Sequence, residues 1–200
     1  TVQEETPDTP EVTVQEETPD TPEVTVQEET PDTPEVTVQE ETPDTPEVTS
    51  LEASSGTFTD SSFSWTLDAD GLLTISGSGP MPGEKPWGSS AYITKIVLEE
   101  GITQLPNDAF NGCATVTEVT LPSTLTAIGN SAFTNCDALA SINLPVGLQT
   151  IGDSAFRWCN ALREITLPGT VTNFTNAFLQ SGLERVTIQE GVTAISSDAF

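Results

Sequence analysis

The 200-residue sequence contains no histidine, and only 5 Lys and Arg residues accompany 31 Asp and Glu residues, which gives a net charge of −26. Without histidine, Ser-His-Asp and Cys-His catalysis are excluded and the commonest zinc ligand is missing. A chain this acidic is repelled by phosphate groups, which excludes nucleic-acid binding through a basic surface. No apolar run approaches the roughly 18 residues that a membrane-spanning helix needs, so we expect no membrane insertion of this fragment.

The sequence also lacks the residue sets that support catalysis. No paired carboxylates, activated nucleophile or phosphate-binding loop can be picked out, and we therefore predict no enzymatic activity and no cofactor. A starting methionine and a secretion signal are missing too, because the chain begins at Thr1 inside a repeat. We interpret it as an internal fragment, so the missing signal is no argument for the cytoplasm.

Residues 1–48 are four identical copies of the 12-residue unit TVQEETPDTPEV, with 16 acidic residues and no basic one. Two prolines per unit oppose helix formation, and two valines bury too little apolar surface to offset chain entropy. We expect residues 1–50 to form a disordered acidic spacer with polyproline-II character, up to roughly 150 Å long at ~3.1 Å per residue. The Thr-Pro pattern leaves O-glycosylation and weak cation binding open as alternatives.

Residues 51–95 have the composition of a small β module. Apolar and polar residues alternate over 63–67 and 73–76, and the intervening Asp-Ala-Asp-Gly at 68–71 favours a turn, which predicts a β-hairpin cap. The same string resembles the start of a calcium loop, but a twelve-residue loop from Asp68 would end at Gly79, where a bidentate Glu belongs. Turn chemistry is therefore the favoured interpretation.

From residue 96 the chain repeats with a period of about 23 residues. Phe110, Phe133 and Phe156 keep this spacing, and so do Cys113, Cys136 and Cys159. Strands of the form apolar-x-apolar-Pro recur in the same register and predict short parallel rungs that end at the proline. Because one unit holds too little core to fold alone, the units must stack. Residues 96–200 are thus predicted to form a mostly β solenoid of about four turns with five short parallel strands.

This pattern resembles the BspA-like leucine-rich repeats of bacterial surface proteins, whose unit reads roughly L-x-x-I-x-L-P-x-x-L-x-x-I-G-x-x-A-F-x-x-C-x-x. Residues 139–159 match nearly every fixed position, whereas the fourth unit has Ser181 in place of Cys and Phe174 in place of Ile. The hairpin resembles a module that often precedes such repeats, so the resemblance covers about 56–200. It implies a secreted or cell-surface protein used in adhesion and protein contact, without a shared enzymatic activity.

The predicted function is therefore a non-enzymatic protein-binding or adhesion module of a bacterial cell-surface protein, held off the surface by the acidic spacer. Its location would be extracellular or at the cell surface, and its partner a protein or glycan on a host or neighbouring cell. The alternative is a structural repeat segment of a larger secreted or surface enzyme whose chemistry lies outside this fragment.

Outward-pointing strand positions form columns across the predicted sheet. Solenoids commonly bind partners on such faces, although any solvated sheet shows similar residues, and the sequence leaves both interpretations open. We call the following residues the strand face: Lys95, Val97, Glu118, Thr120, Ser141, Asn143, Arg163, Glu164, Thr166, Glu184, Arg185 and Thr187.

Two further features have open interpretations. Arg157 and Trp158 stand where neighbouring units have small polar residues, so they are either an exposed contact or packing on the outer side. The three cysteines fit buried free thiols, with a disulfide between neighbours or a thiolate metal site as alternatives.

The final residue, Phe200, occupies the core phenylalanine position of its unit, and no polar capping residues follow it. Because repeat arrays need a polar cap, we expect the solenoid to continue in the natural protein. We also expect residues from about 186 onward to fray first.

Overall fold

The computed structural model describes residues 52–196 and 198–200. The predicted spacer at 1–50 lies outside the described residues.

 The described chain is built from strands, with Ser90–Tyr92 as its one short 3-10 helical turn. Its strands are β1 (Ser54–Thr57), β2 (Ser64–Leu67), β3 (Leu72–Ser76), β4 (Gly79–Pro80), β5 (Lys95–Leu98), β6 (Ile102–Leu105), β7 (Glu118–Thr120), β8 (Ala127–Ile128), β9 (Ser141–Ile142), β10 (Thr150–Ile151), β11 (Glu164–Leu167) and β12 (Arg185–Ile188).

The predicted hairpin is present as the antiparallel pair of β2 and β3, in which Trp65 lies opposite Ile75. Its turn is held by Asp68, whose carboxylate oxygen Oδ1 accepts hydrogen bonds from the backbone N–H groups of Asp70 and Leu72, both at 2.9 Å. This is turn chemistry, as the sequence favoured. Strand β1, which the sequence analysis did not identify, adds antiparallel to β2.

The hairpin continues directly into the solenoid. Strand β3 pairs in parallel with β5, and the ladder continues through β7 to β9. Leu73, Ile96, Val119 and Ile142 therefore lie side by side at a spacing of 23 residues, all buried. The solenoid has about five turns, one more than the expected four, because the second strand of the hairpin supplies the first rung.

A second parallel sheet lines another side of each turn. Its order is β10-β8-β6-β4, and it is formed by the segments that end in Ile-Gly in two of the units. The sequence analysis did not predict that these segments pair. Ile128 and Ile151 point into the core there, and an isolated parallel bridge from Thr150 to Asn173 extends the ladder by one turn.

The first sheet is interrupted between β9 and β11. Strands β11 and β12 pair in parallel with each other but form a separate two-stranded sheet. Ser141 and Asn143 occupy the outward positions beside Ile142, where the neighbouring rung has Glu118 and Thr120. Strand β9 is only two residues long and offers little backbone for a continuous ladder.

The centre of the solenoid is a column of aromatic rings that begins in the hairpin module. Adjacent rings are stacked, with centroids 5.3–5.9 Å apart. The column consists of Trp87, Phe110, Phe133, Phe156, Phe178 and Phe200. Trp87 is buried, and so is Trp65 on β2 of the hairpin.

Candidate partner-binding face

The strand face is assembled by register. In the first sheet Lys95, Glu118 and Ser141 stand opposite one another, because each rung repeats the previous one after 23 residues. Across the interruption, Glu164 lies opposite Arg185 and Thr166 opposite Thr187. All twelve residues of the strand face are exposed except Val97, which is half-buried. The predicted columns are present, but they form two blocks rather than one continuous sheet.

Oppositely charged side chains on the strand face pair across neighbouring rungs. Lys95 Nζ lies 3.1 Å from Glu118, and Arg185 Nη1 lies 2.8 Å from Glu164. Arg163 Nη1 lies 3.5 Å from Glu184.

These six side chains are all more than half exposed, so each pair stabilises the fold by only about 0–1 kcal/mol. The effect of these pairs on the charge that the strand face presents is larger than their effect on stability. Three positive and three negative groups leave the strand face with balanced charge on an otherwise acidic molecule. A partner would therefore meet alternating charges and hydroxyl groups rather than a strong negative field.

Two shallow grooves run along this face. One, of about 530 Å³, lies between Lys95, Glu118 and Ser141, and the other, of about 390 Å³, lies between Ser141, Glu164 and Thr187. Asn143 lines both grooves, since it stands beside the interruption in the sheet. Sequence reasoning placed Asn143 on the face but gave no sign of its central position, because nothing in the repeat pattern marks the break.

Arg157 and Trp158 are brought together on a different part of the solenoid, in the turn between β10 and β11. The guanidinium carbon of Arg157 lies 3.8 Å from the centre of the Trp158 ring. Trp158 is 37% exposed, so an exposed contact and packing on the outer side both remain open. Gln180, which sequence reasoning missed, accepts hydrogen bonds from Arg157 and lies 23 residues further along, so the repeat period itself was the available signal.

The three cysteines are free and buried. The thiols of Cys136 and Cys159 donate hydrogen bonds to the carbonyl oxygens of Phe110 and Phe133, at 3.4 and 3.2 Å. Burial raises the pKa of Cys113 to about 11 and that of Cys159 to about 12, and it also raises the pKa of Cys136. Such thiols remain protonated near neutral pH and are poor nucleophiles and metal ligands.

Over residues 52–196 and 198–200, no group of three or more Cys, Asp or Glu side chains is arranged to hold a metal ion. In the same part of the chain, no helix has the length and apolar character needed to cross a bilayer.

Comparison with known proteins identifies the repeat. The BspA type leucine-rich repeat region matches residues 85–200 in six copies, which is more than half of the chain. The chain belongs to the BspA-type leucine-rich repeat family. This confirms the resemblance predicted from the sequence. The match begins ahead of Trp87, in agreement with a solenoid whose first turn lies within the hairpin module.

Solved structures of bacterial leucine-rich repeat proteins are similar to this BspA-type chain. The one from Eubacterium ventriosum is 24% identical, with a TM-score of 0.55, over 74% of this chain and 45% of its own. The T. pallidum protein TpLRR is 25% identical over 62% of this chain and 67% of its own, with a TM-score of 0.49. One from Bacteroides ovatus is 23% identical over 68% and 40%, with a TM-score of 0.49. A search of curated proteins found no match.

The Eubacterium ventriosum structure supports the fold, and this chain spans less than half of that protein. The family and the Eubacterium ventriosum structure are described as leucine-rich repeat proteins. A BspA-type leucine-rich repeat chain is consistent with a protein-binding repeat module.

Proposed function

We propose that this chain is the non-enzymatic binding module of a bacterial surface or secreted protein, and that the strand face contacts a protein partner. The observation that carries the proposal is the strand face itself, a charge-balanced surface of exposed side chains supported by buried rungs. Its outward side chains are fixed by register on a rigid core, so a partner meets a surface that needs little ordering on binding.

Adhesion and an extracellular location belong to the same proposal. The family's members are bacterial surface or secreted proteins, and the acidic repeats at 1–50 have the composition of a spacer. In this arrangement the repeats hold the solenoid away from the cell. The solenoid then contacts proteins or glycans of a host or neighbouring cell.

The experiment is a binding measurement with the full 200-residue chain against purified extracellular-matrix and mucin proteins. Thr166→Arg places a long charged side chain in the middle of the strand face, whereas Gln104→Arg makes the same change on the exposed side of β6 in the second sheet. For a protein that binds the parent chain, we expect Thr166→Arg to weaken binding by at least tenfold and Gln104→Arg to leave binding unchanged. Equal loss in both variants, or in neither, would exclude the strand face as the binding surface.

A further inference from the structure

One column of the strand face carries its charges in a symmetric order. The column takes one outward side chain from each of five successive rungs, namely Lys95, Glu118, Ser141, Glu164 and Arg185. Its charges therefore run positive, negative, neutral, negative, positive. The strand face is balanced as a whole, but the space above its middle residue, Ser141, has a carboxylate on either side.

The two ion pairs of this column lie on the sides that face away from Ser141. Lys95 Nζ is 3.1 Å from Glu118 Oε2, and Arg185 Nη1 is 2.8 Å from Glu164 Oε2. Each cation stands on the rung beyond its glutamate, so each pair draws its carboxylate outward. The short serine between them leaves a dip, and both grooves of the strand face include it, since Ser141 lines each of them.

The width of this dip follows from the stacking of the turns. Neighbouring strands lie ~4.8 Å apart, so the backbones of Glu118 and Glu164, two rungs apart, are separated by ~10 Å. The turns are not spread apart at the interruption of the sheet, because the rings of Phe133 and Phe156 stack there at 5.3 Å. A divalent cation binds carboxylate oxygens at about 2.0–2.6 Å and is too small to join two carboxylates that are drawn outward. A basic group at the end of a long side chain has the size to lie between them.

The base of the dip offers hydrogen-bonding groups that the fold does not use. On the second sheet, the hydroxyl group of Thr126 donates to the carbonyl oxygen of Thr103 on the preceding turn, at 3.0 Å. Within the part of the chain that the structure describes, the side chains of Ser141 and Asn143 make no such hydrogen bond, and both are exposed. A serine hydroxyl and an asparagine carbonyl oxygen can each accept an N–H group.

The remaining cation near the dip, Arg163, is held on its far side. Its Nη1 atom donates to the carbonyl oxygen of Gly182 at 3.0 Å and lies 3.5 Å from Glu184, both toward the C-terminal turn. A charge above Ser141 therefore has two carboxylates at ~5 Å and the nearest ends of the column's cations at ~10 Å, so attraction of a positive group outweighs repulsion. The net charge of −26 also favours the approach of a positively charged segment.

We propose that Glu118, Ser141, Asn143 and Glu164 form an acidic notch that binds an arginine side chain of the protein partner. The guanidinium lies between the two glutamates and donates to the serine and asparagine oxygens. Its planar fork of five donors suits four acceptors better than the single ammonium group of lysine does. This inference rests on the proposed function, because the notch is the centre of the strand face, and it names the chemistry that the partner presents there. Arginine is also among the residues that most often dominate the energy of protein interfaces.

The test measures binding of two short peptides to the full 200-residue chain at fixed ionic strength. One is acetyl-Gly-Arg-Gly-amide, and in the other citrulline replaces arginine, which keeps the shape of the side chain and removes its charge. NMR titration follows the amide and carboxylate resonances. We expect the arginine peptide to bind at least tenfold more tightly, with the largest shifts at Glu118, Ser141 and Glu164. Equal binding of both peptides, or shifts spread evenly over the acidic residues, would overturn the proposal.

Four variants locate the binding. Glu118→Gln and Glu164→Gln each remove one carboxylate and are expected to weaken the arginine peptide at least fivefold. Ser141→Lys supplies a positive group from the chain itself and is expected to abolish binding while both glutamates remain. Glu99→Gln makes the same charge change at an exposed position after β5, outside the strand face, and is expected to leave binding unchanged. Because all four positions are exposed, thermal midpoints should differ by no more than a few degrees. Unchanged binding in the folded notch variants, or an equal loss in Glu99→Gln, would contradict the notch.

Failure of the notch can be distinguished from failure of the strand face. If Thr166→Arg weakens binding of a matrix or mucin protein but the arginine peptide shows no preference over the citrulline peptide, the notch is excluded and the strand face stands. If Thr166→Arg leaves binding of that protein unchanged, the strand face is excluded, and with it the role of the notch in holding that partner.

Discussion

At the residue scale, the cysteines show how stacking changes the chemistry of a side chain. Cys113, Cys136 and Cys159 recur at one position of the repeat, and each is almost fully shielded from water by the turns on either side. Burial raises the pKa of all three thiols because the thiolate would lose its hydration. Serine replaces cysteine in the fourth unit, so the position selects a small side chain and not a reactive one.

The raised thiol pKa values predict a loss of stability at alkaline pH. In the unfolded chain the thiols ionise above about pH 9, whereas Cys113 and Cys159 stay neutral in the folded chain until about pH 11 and 12. Their contribution is therefore complete below pH 9 and is lost as the pH rises through 9 to 12, by up to ~1.4 kcal/mol per pH unit for each thiol. Urea unfolding at several pH values, with a reducing agent present, measures this slope.

The control for the alkaline prediction is a triple variant in which all three cysteines become serine, the residue of the fourth unit. The triple variant differs from the parent chain at these three positions alone, so the difference in slope between the two proteins reports on the thiols. We expect a shallower slope in the triple variant between pH 9 and 11. Parallel slopes would show that thiol burial does not govern alkaline stability.

At the scale of the elements, the stacked aromatic column is what joins the short strands into one core. Strands of two to five residues bury little surface on their own, and a stacked aromatic ring on each turn packs against the rings of the neighbouring turns. Phe156 has a stacked ring at 5.3 Å on each side and is fully buried. Phe200 stacks on Phe178 on one side, has the tilted ring of Phe174 at 6.3 Å, and is 47% exposed.

This difference predicts unequal costs for the same substitution. Phe156→Ala leaves a cavity between two rings and is expected to lower the free energy of unfolding by about 3–5 kcal/mol. Phe200→Ala removes a ring that is already half in water and is expected to cost less than half as much. Chemical denaturation of the two variants and the parent chain gives both values. Equal losses would argue against a column whose stability depends on neighbours on both sides.

At the scale of the whole molecule, the protection of backbone amides from hydrogen exchange depends on the number of neighbouring turns. Strand β7 has hydrogen-bonded strands on both sides, whereas β12, among the described residues, pairs with β11 alone. Ile188 and Ile195 are 40% and 51% exposed, so the last turn also buries less apolar surface. Regions with few buried contacts open at low free energy.

We therefore expect hydrogen exchange in this 200-residue chain to be fastest, within the solenoid, at residues 186–200 and slowest near the centre at 119–165. Exchange measured by NMR or mass spectrometry at neutral pH provides the comparison. Protection at 186–200 equal to that of the central turns would show that the last turn is as stable as the others, contrary to the prediction.

Much of this fold is determined by the sequence itself, because the repeat period determines which residues of neighbouring turns lie next to one another. The 23-residue spacing of Phe110, Phe133 and Phe156 is enough to predict stacked turns, a buried aromatic column and the columns of the strand face. Asp68 and Gly71 predict the hairpin turn for the same reason, since their requirements are local. A side chain whose neighbours are set by periodicity or by the adjoining residues can be placed without coordinates.

Only the tertiary structure decided where the regular stacking of the repeats is interrupted and where a strand outside the repeats joins it. Strand β3 forms the first rung of the solenoid, and the first sheet is interrupted beside Asn143. Both outcomes depend on which strands form backbone hydrogen bonds with each other, and the repeat pattern does not specify that. The left-handed backbone at Trp158 and the hydrogen bonds from Arg157 to Gln180 on the next turn are likewise properties of packed turns. The sequence shows which residues are unusual at those positions, and the geometry of the neighbouring turn determines what they contact.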